Sequence, residues 1–526
     1  MRKFASWAAL TALCLCATPM IASAKDANKA SDAASSPDAA LATPQKSVSS
    51  GSVTVEGKRI QYTAVAGTIV LHGKGDDENT PTASLFYVAY FKKGADPSKR
   101  PVTFLYNGGP GSASVWLHMG AFGPRRVQTS DHTHTPAAPY KLVNNDYSLL
   151  DASDLVFIDA PGTGFSRLIA QTGKDKRDAL MKKRAKQFYS VDGDGQAFAQ
   201  FVTRFLSTYG RWNSPKYLFG ESYGTTRSAV LSNILENQDS VDLNGVVLLS
   251  QILSFDNSPD SPSDNPGVDQ PYVLALPTYA ATAWYHHKLP QPPADLPTLM
   301  KQVESFATGE YSQALAAGSM LDPARKQAVA EKLHQYTGLP VAYLVKADLR
   351  VSGPMFEHEL LSKEGDSTGR LDTRFAGPSM DPMSKTIQYD PQSSAISSAY
   401  VATFNNYVRK TLKFGQNKHY RLFAGFDHWD FTHDHNQQSL NVMTDLAEAM
   451  KANPDLKVMM NGGYYDMATP FFAAEYELDH LPIPQRLHKN ISVHLYQSGH
   501  MVYAHLPSLK KLHDNVAAFI RSTDHG

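Results

Sequence analysis

Six short runs of apolar residues recur along the chain, and most of them end in a glycine-rich or polar turn. They occupy residues 102–106, 155–158, 217–219, 245–249, 457–460 and 491–496. Uninterrupted apolar runs of this length are typical of parallel strands that are buried on both faces. Segments with helical spacing, such as residues 196–209, lie between them. The alternation predicts an α/β fold with a mostly parallel central sheet flanked by helices.

The spacing of the runs predicts how the chain is divided. Residues 52–91 alternate in a strand-like pattern interrupted by glycines, which predicts two or three antiparallel strands at the start of the domain. The gap between the fourth and fifth runs is far longer than a single crossover helix needs. Within it, residues 299–315 and 323–336 have helical patterns. We interpret residues 256–397 as a largely helical cap, inserted between two core segments at 52–255 and 398–526.

The N-terminus has the pattern of an export signal. Arg2 and Lys3 precede an apolar stretch over residues 4–17, and Ala22-Ser23-Ala24 offers small residues for cleavage. This pattern predicts a signal peptide at 1–24, cut near Ala24, and a periplasmic or secreted protein. Residues 25–51 are rich in Ala, Ser, Asp and Pro and have no aromatic residue, so we expect a disordered leader. No other segment has an apolar run long enough for a membrane span.

Charge and cysteine content narrow the possible partners. Lys plus Arg and Asp plus Glu both number 50, so nothing in the charge favours nucleic acid. The two cysteines, Cys14 and Cys16, both lie in the signal, which leaves the mature chain without disulfides. The cluster of Asp and His at 427–435 has no spacing diagnostic of a metal site. We therefore predict no metal and no cofactor, and the oligomeric state stays open.

The third apolar run leads into the pentapeptide Gly220-Glu221-Ser222-Tyr223-Gly224, and a helical pattern follows it. A strand, G-x-S-x-G and a helix together form a nucleophile elbow, which holds a serine on a strained turn. Side chains two positions before and after the serine would collide, which explains the two glycines. The elbow predicts that Ser222 is a catalytic nucleophile.

A serine nucleophile needs a base and a carboxylate that orients the base. In this kind of fold they follow later strands, in the order Ser, Asp, His. Asp466 follows the fifth run and His500 follows the sixth, so we predict that these two complete a triad. His494, which lies within a run, and Asp445, which follows none, are weaker candidates.

The oxyanion formed in acyl transfer needs two backbone N–H donors. One is predicted to be that of Tyr223, directly after the nucleophile. The second is predicted to come from the glycine turn that follows the first run, with Gly109 as its donor.

Taken together, these motifs resemble those of the secreted serine carboxypeptidases. The matching segments are N-G-G-P-G at 107–111, D-A-P-G-T-G-F-S at 159–166, G-E-S-Y-G at 220–224, the turn with Asp466 and G-H-M-V at 499–502. The resemblance covers most of the mature chain and implies an α/β-hydrolase fold. The family usually has a cysteine after N-G-G-P-G, whereas Ser112 stands here, as expected for a bacterial-type member without disulfides.

The resemblance also implies how a substrate is held. In the family the asparagine of N-G-G-P-G and the glutamate before the serine help to bind the terminal carboxylate of a peptide. Here they are Asn107, which precedes Gly108 in the substrate-binding turn, and Glu221. A second glutamate usually lies two residues before a downstream Gly-Pro pair, but this chain has Ala121. We therefore expect Glu221 to have one fewer reason to hold a proton near neutrality, although burial could still raise its pKa and a nearby Arg125 or Arg126 could instead lower it.

Three other nearby residues could supply positive charge in place of the missing carboxyl. They are His118, Arg125 and Arg126, and the alternative for each is a position in a solvated loop. The predicted function is removal of C-terminal residues from peptides through an acyl-enzyme on Ser222. An esterase or acyltransferase with the same triad is the alternative, and a non-catalytic binding protein is disfavoured because all three triad residues are present.

Overall fold

The computed structural model describes residues 38–170, 174–434 and 439–524. The predicted signal peptide and residues 25–37 of the predicted leader lie outside these ranges. Among the described helices, none combines the length and the apolar character that crossing a bilayer requires.

The strands follow the predicted apolar runs closely. Their bounds are β1 Lys46–Val55, β2 Lys58–His72, β3 Pro81–Lys92, β4 Val102–Tyr106, β5 Arg125–Val127, β6 Leu142–Asn144, β7 Asp154–Ile158, β8 Arg167–Leu168, β9 Lys216–Glu221, β10 Gly245–Leu249, β11 Asp366–Thr368, β12 Ala376–Pro378, β13 Lys457–Gly463 and β14 Ile491–Tyr496. The six predicted runs correspond to β4, β7, β9, β10, β13 and β14, so the prediction of these strands is confirmed.

The central sheet has the strand order β1-β2-β3-β7-β4-β9-β10-β13-β14, with β8 paired to β3. The pairs from β1 to β7 are antiparallel. All pairs from β7 to β14 are parallel. This is the mostly parallel sheet of an α/β hydrolase, and its parallel strands bring their carboxyl ends to one edge.

The α-helices cover the sheet and build the insertion. Their bounds are α1 Lys174–Phe188, α2 Val191–Tyr209, α3 Tyr223–Asn237, α4 Gln270–Tyr285, α5 Leu296–Phe306, α6 Ser312–Ala316, α7 Pro323–Thr337, α8 Val341–Lys346, α9 Gly353–Glu359, α10 Pro391–Lys410, α11 Met443–Ala452, α12 Phe471–Asp479, α13 Gln485–His488 and α14 Leu506–Thr523. Helices α2, α3 and α11 pack in one hydrophobic cluster, and α10 and α14 pack in another.

The alternation of side chains along the strands separates these two clusters. Leu218 of β9 belongs to the cluster with α2 and α3, whereas Tyr217 and Phe219 on either side belong to the cluster with α10 and α14. Successive side chains of a strand point to opposite faces, so a strand buried on both faces must be apolar throughout. The unbroken apolar runs in the sequence follow from this requirement.

Two predicted boundaries differ from the structure. Residues 46–51, assigned to a disordered leader, form the first half of β1 and pair with β2, so the leader prediction is wrong for this segment. A strand made mostly of Ser and Val at a sheet edge has too weak a pattern to be distinguished from a linker. The cap boundary at 397 falls inside α10, which contributes Ile396 and Tyr400 to the main core.

The helices of the insertion form a third hydrophobic cluster. Residues of α4, α5, α7 and α9 pack together and also contact Tyr465, Met467 and Phe471, which follow β13. The insertion therefore rests on the segment that carries Asp466.

Helix α3 is anchored by a buried ion pair. Arg227 Nε lies 2.6 Å from Asp194 Oδ2 of α2, with both side chains almost fully buried. Arg227 Nη1 also donates to the carbonyl of Asn107, at 2.8 Å. One guanidinium thus connects α3 to α2 and to the glycine turn after β4.

We expect Asp194→Ala to lower the free energy of unfolding by about 3–5 kcal/mol, because it leaves the Arg227 charge buried without its partner. Urea titration of the mature protein measures this loss. The matched control is Glu310→Ala, which removes the partner of Lys332 from a pair whose side chains are 53% and 35% exposed. Its loss should be about 0–1 kcal/mol. Equal losses in the two variants would contradict the anchoring role.

Candidate active site

The turn between β9 and α3 has the backbone geometry expected of a nucleophile elbow. Ser222 has φ 61° and ψ −131°, outside the regions that side chains ordinarily prefer. Its N–H donates to the carbonyl of Leu249 at 2.9 Å, which fixes the turn to β10. A Cβ at Gly220 would collide with the Gly224 carbonyl, and one at Gly224 would lie 2.9 Å from the Tyr106 carbonyl oxygen. Both glycines are therefore required by close packing, as predicted.

The glycine turn after β4 lies directly against this elbow. A Cβ at Gly108 would collide with the backbone nitrogen of Tyr223, so the two backbones can approach this closely only because Gly108 has no side chain. Gly109 has φ 106°, a conformation that favours glycine. Within the described residues, the N–H groups of Gly109 and Tyr223 have no hydrogen-bond acceptor. These two unbonded N–H groups lie where the glycine turn packs against the elbow, and an oxyanion hole requires two such donors.

The structure brings Asp466 and His500 together. His500 Nδ1 lies 2.8 Å from Asp466 Oδ2, and the Asp466 side chain is completely buried. Thr469 donates to Asp466 through its backbone N–H at 3.0 Å and its hydroxyl at 2.7 Å. Burial works to lower the pKa of His500, but the charge and hydrogen bond of Asp466 outweigh it and raise that pKa. This arrangement fixes the imidazole with Nδ1–H toward the carboxylate and leaves Nε2 for a reacting group.

Ser222 is the partly exposed member of the group, whereas its neighbours Glu221 and Tyr223 are buried. Within the described residues, its hydroxyl makes no direct hydrogen bond with His500. In an enzyme without substrate such bonds are often long and form only in the reacting complex. His500 nevertheless lies close enough to Glu221, the residue before Ser222, for their charges to interact.

A segment of the insertion holds the loops of Asp466 and His500. The N–H of His500 donates to the carbonyl of Leu371 at 2.6 Å, and the N–H of Gly499 donates to Asp372 Oδ2 at 3.1 Å. The N–H of Met467 donates to the carbonyl of Arg370 at 3.1 Å. Residues 370–372 therefore bind both loops, although they lie within the predicted cap.

Asp372 is itself fixed by an arginine. It is completely buried, and Arg374 donates to it through Nε at 3.0 Å and Nη2 at 2.7 Å. Arg374 also contacts Asp131, which is 46% exposed. Arg374 thus fixes the carboxylate of Asp372, which accepts the hydrogen bond from the Gly499 N–H in the loop of His500.

Glu221 is a buried carboxyl group directly before Ser222 in the chain. Burial raises its pKa to about 7, while His500 and hydrogen bonds with Tyr503 and Asn107 act to lower it. Ala121 removes one reason for Glu221 to hold a proton near neutrality. Burial supplies another, because loss of solvation raises the pKa without a second carboxyl group.

The three residues considered as sources of positive charge occupy different positions. His118 is buried, with Nε2 2.7 Å from the Tyr90 hydroxyl and its ring stacked on Phe157. Burial lowers its pKa to about 3, so it is uncharged near neutrality and supplies no positive charge. Arg125 and Arg126 lie on β5, and the charge of Arg126 acts on Tyr400.

The Asp and His cluster considered as a metal site contains a buried histidine. His433 Nδ1 lies 2.6 Å from Asp192 and Nε2 lies 2.8 Å from Asp445. Together these carboxylates raise its pKa to about 10, although burial opposes them. A protonated histidine between two carboxylates connects α2 to α11, and both of its nitrogens are already engaged.

Sequence reasoning missed three residues that contact the site: Thr469, Asp372 and Tyr503. Thr469 could have been found, because it lies in the same loop as Asp466. Asp372 lies in the insertion, and its contact with Gly499 spans 127 positions. Tyr503 follows His500 closely, but its hydroxyl donates to Glu221, 282 positions away, at 2.8 Å.

Fold and site geometry together define the class: this is an α/β hydrolase with serine, histidine and aspartate at the carboxyl ends of its strands. The sequence profile of the serine carboxypeptidases matches residues 73–505, so the chain belongs to that family.

Curated relatives match over shorter segments. The chain is 31% identical over 170 residues to a carboxypeptidase Y homolog of Arthroderma benhamiae, covering 32% of this chain and 29% of that protein. It is 28% identical over 180 residues to serine carboxypeptidase-like 34 of Arabidopsis thaliana, covering 32% of each. The matched segments thus span about a third of the curated relatives.

Among solved structures, the chain is similar to a proline iminopeptidase of Mycobacterium smegmatis, with a TM-score of 0.36 and 14% identity over 87% of this chain and 98% of that one. A putative aryl esterase of Burkholderia cenocepacia has a TM-score of 0.35 and 13% identity, over 87% and 98% of the two chains.

We expect Asp372→Ala to lower kcat about ten- to a hundredfold, because a shift of about 1 Å in a catalytic group has effects of this size. The substitution removes the acceptor of the Gly499 N–H while Leu371 still holds His500. Turnover and the rate of fluorophosphonate labelling at Ser222 measure the effect. Asp131→Ala is the control, since it removes the other partner of Arg374 and leaves the Gly499 contact intact. Labelling of Asp372→Ala at the wild-type rate would show that this contact does not position His500.

Proposed function

We propose that the protein is a serine carboxypeptidase that removes C-terminal residues from peptides. Ser222 is the nucleophile, His500 is the general base and Asp466 orients the imidazole. The N–H groups of Gly109 and Tyr223 stabilise the oxyanion. Membership of the serine carboxypeptidase family and the contact between Asp466 and His500 support this proposal.

The reaction proceeds in two displacement steps. His500 Nε2 takes the hydroxyl proton of Ser222 as the oxygen attacks the scissile carbonyl carbon, and the carbonyl oxygen becomes an oxyanion. His500 then gives that proton to the departing amine, which leaves an acyl-enzyme on Ser222. A water molecule, deprotonated by His500, attacks the ester and releases the shortened peptide. The buried Asp466 stabilises the imidazolium that forms in each step.

The observation that carries the peptidase assignment is the buried Glu221 next to the nucleophile. A carboxyl group whose burial raises its pKa to about 7 is protonated in mildly acidic solution and then donates a hydrogen bond to a carboxylate. Asn107 lies beside it and Gly108 keeps the approach open. Only a peptide with a free carboxyl end offers these groups a partner one residue beyond the scissile bond.

An esterase or an acyltransferase would use the same triad and the same oxyanion donors. Neither chemistry by itself needs a protonated acid beside the serine, so Glu221 and Asn107 favour the peptidase. The non-catalytic reading is disfavoured, because the free donors at Gly109 and Tyr223 have a clear use only in acyl transfer.

Two further parts of the proposal concern location and access. We propose export to the periplasm or the medium, on the basis of the signal pattern in residues 1–24. We also propose that the helical insertion, beginning near residue 256, narrows the entrance so that chain ends enter. Its packing on the segment after β13 supports this position.

Ser222→Ala should lower kcat by several orders of magnitude while leaving KM nearly unchanged, because binding and the oxyanion hole remain. His500→Ala should be similarly severe, and the double variant should be little worse than either single one. Mass spectrometry of a peptide library shows bond and end specificity, and a fluorophosphonate probe reports on Ser222. A wild-type protein that neither labels nor shortens peptides would overturn the proposed function. Multiplying losses in the double variant would mean that the two residues act independently.

The preference for free carboxyl ends should decline as pH rises through about 7. Glu221 is protonated below its raised pKa and ionised above it, and the ionised form repels a terminal carboxylate. The ratio of kcat/KM for matched acid and amide peptides, measured from pH 5 to 9, follows this change. Protonation of His500 affects both substrates and cancels in the ratio. Glu221→Gln, which cannot ionise, is the control and should give a flat ratio. A flat wild-type ratio would contradict the role of Glu221.

A further inference from the structure

The place that a second glutamate takes in the family is occupied here by apolar and phenolic groups. Ala121 lies in the π-helical segment Leu117–Phe122 and is completely buried. At the adjacent Gly120, a Cβ would lie 2.6 Å from the Tyr400 hydroxyl oxygen and 2.6 Å from a ring carbon of Tyr503. Two tyrosine rings thus pack against this segment, beside the position where the carboxyl group is missing.

One of these tyrosines contacts the remaining glutamate. Tyr503 donates its hydroxyl proton to Glu221 Oε2 at 2.8 Å, and both residues are buried. The Asn107 side chain interacts with both of them. Tyr503 lies in the single turn Val502–Ala504, just after His500, so one loop carries both the base and the donor to Glu221.

We propose that Tyr503 positions Glu221 for binding a terminal carboxylate and takes the place of the family's second glutamate. This inference rests on the proposed function. Burial and the charge of Glu221 keep the phenol protonated, since they raise its pKa well above the ordinary value. Tyr503 is therefore a donor near neutral pH, whereas a pair of carboxyl groups must share a proton to make the same bond.

The phenol also decides which oxygen of Glu221 carries the proton. Oε2 accepts from Tyr503, so in the neutral acid it acts as the carbonyl oxygen and the proton lies on Oε1. In this proposal, Oε1–H is the donor to a substrate carboxylate. The groups that act on Glu221 from the surrounding elements are Asn107 after β4, Asp466 after β13, His500 and Tyr503 after β14, and Tyr400 on α10, which Arg126 of β5 also influences.

Tyr503→Phe is the direct test, and Tyr400→Phe is its matched control. The control removes the neighbouring hydroxyl, which makes no hydrogen bond within the described residues. We expect Tyr503→Phe to lower kcat/KM for acid peptides about tenfold near pH 6, mainly through KM, because it removes a hydrogen bond to an ionisable group. Amide peptides should be hydrolysed at the wild-type rate within about twofold. Tyr400→Phe should behave as wild type with both substrates.

A pH profile separates positioning from packing. The phenol donor stabilises ionised Glu221, so its loss should raise the pKa of this residue and move the decline of the acid-to-amide ratio to higher pH. If Tyr503 acted only in packing, its loss would lower kcat/KM for acid and amide peptides equally. The acid-to-amide ratio would then decline over the same pH range as in wild type. The rate of fluorophosphonate labelling of Tyr503→Phe, expected to equal that of wild type, shows that the triad is intact.

The outcomes separate this inference from the proposed function. If wild type prefers acid peptides and Tyr503→Phe keeps both the ratio and its pH dependence, the role of Tyr503 is overturned and the carboxypeptidase stands. If wild type has no preference for acid peptides, both are overturned, since no carboxylate is then recognised. Slow labelling together with an equal loss on acid and amide peptides would assign Tyr503 to the support of His500 and would also overturn the proposal.

Discussion

The strained turn at Ser222 is the constraint on which the rest of the site depends. A residue with φ 61° persists only where its surroundings hold it, and here three neighbours do so. The carbonyl of Leu249 in β10 accepts a hydrogen bond from the Ser222 N–H. Gly108 packs closely against the backbone of Tyr223. Arg227 connects α3 to the carbonyl of Asn107. The strain is thus balanced by packing that also brings the glycine turn against the backbone of Tyr223.

His500 and Asp466 are held in place by hydrogen bonds to the insertion. The loops after β13 and β14 belong to the core, but residues 370–372 of the insertion accept hydrogen bonds from both. The insertion therefore supplies hydrogen-bond acceptors to the loops that carry Asp466 and His500. Because Leu371 accepts from the His500 N–H, a movement of this segment would displace His500 relative to Ser222.

The sequence predicted the framework better than the supporting contacts. Strands β4 and β10 begin and end where the apolar runs do, because a strand buried on both faces has little freedom to include polar residues. The elbow was predictable because Gly220 and Gly224 are required by collisions within a few residues.

The contacts of Asp372 and Tyr503 were not predictable because they join distant segments through common residue types. Nothing in the local pattern distinguishes the Tyr503 phenol from a packing residue until the fold places it beside Glu221. His118 was considered as a source of positive charge because it lies near the glycine turn in sequence. Its burial in the folded protein lowers its pKa to about 3, so it is uncharged near neutrality. Charge states depend on solvation, and solvation is a property of the assembled core.

Glu221 and His500 lie close enough for the protonation state of each to affect the pKa of the other. In the proposed function, catalysis on a free-acid peptide requires neutral His500 and protonated Glu221. The competing arrangement has the proton on His500 and leaves Glu221 ionised. Their charges attract, so without substrate each group favours the charged form of the other. A bound carboxylate would contact Glu221 directly and lie farther from His500. Because Coulomb interaction weakens with distance, its charge disfavours ionised Glu221 more strongly than it favours protonated His500. The substrate itself thus shifts the pair toward the arrangement in which Glu221 holds the proton and His500 is free to act as a base.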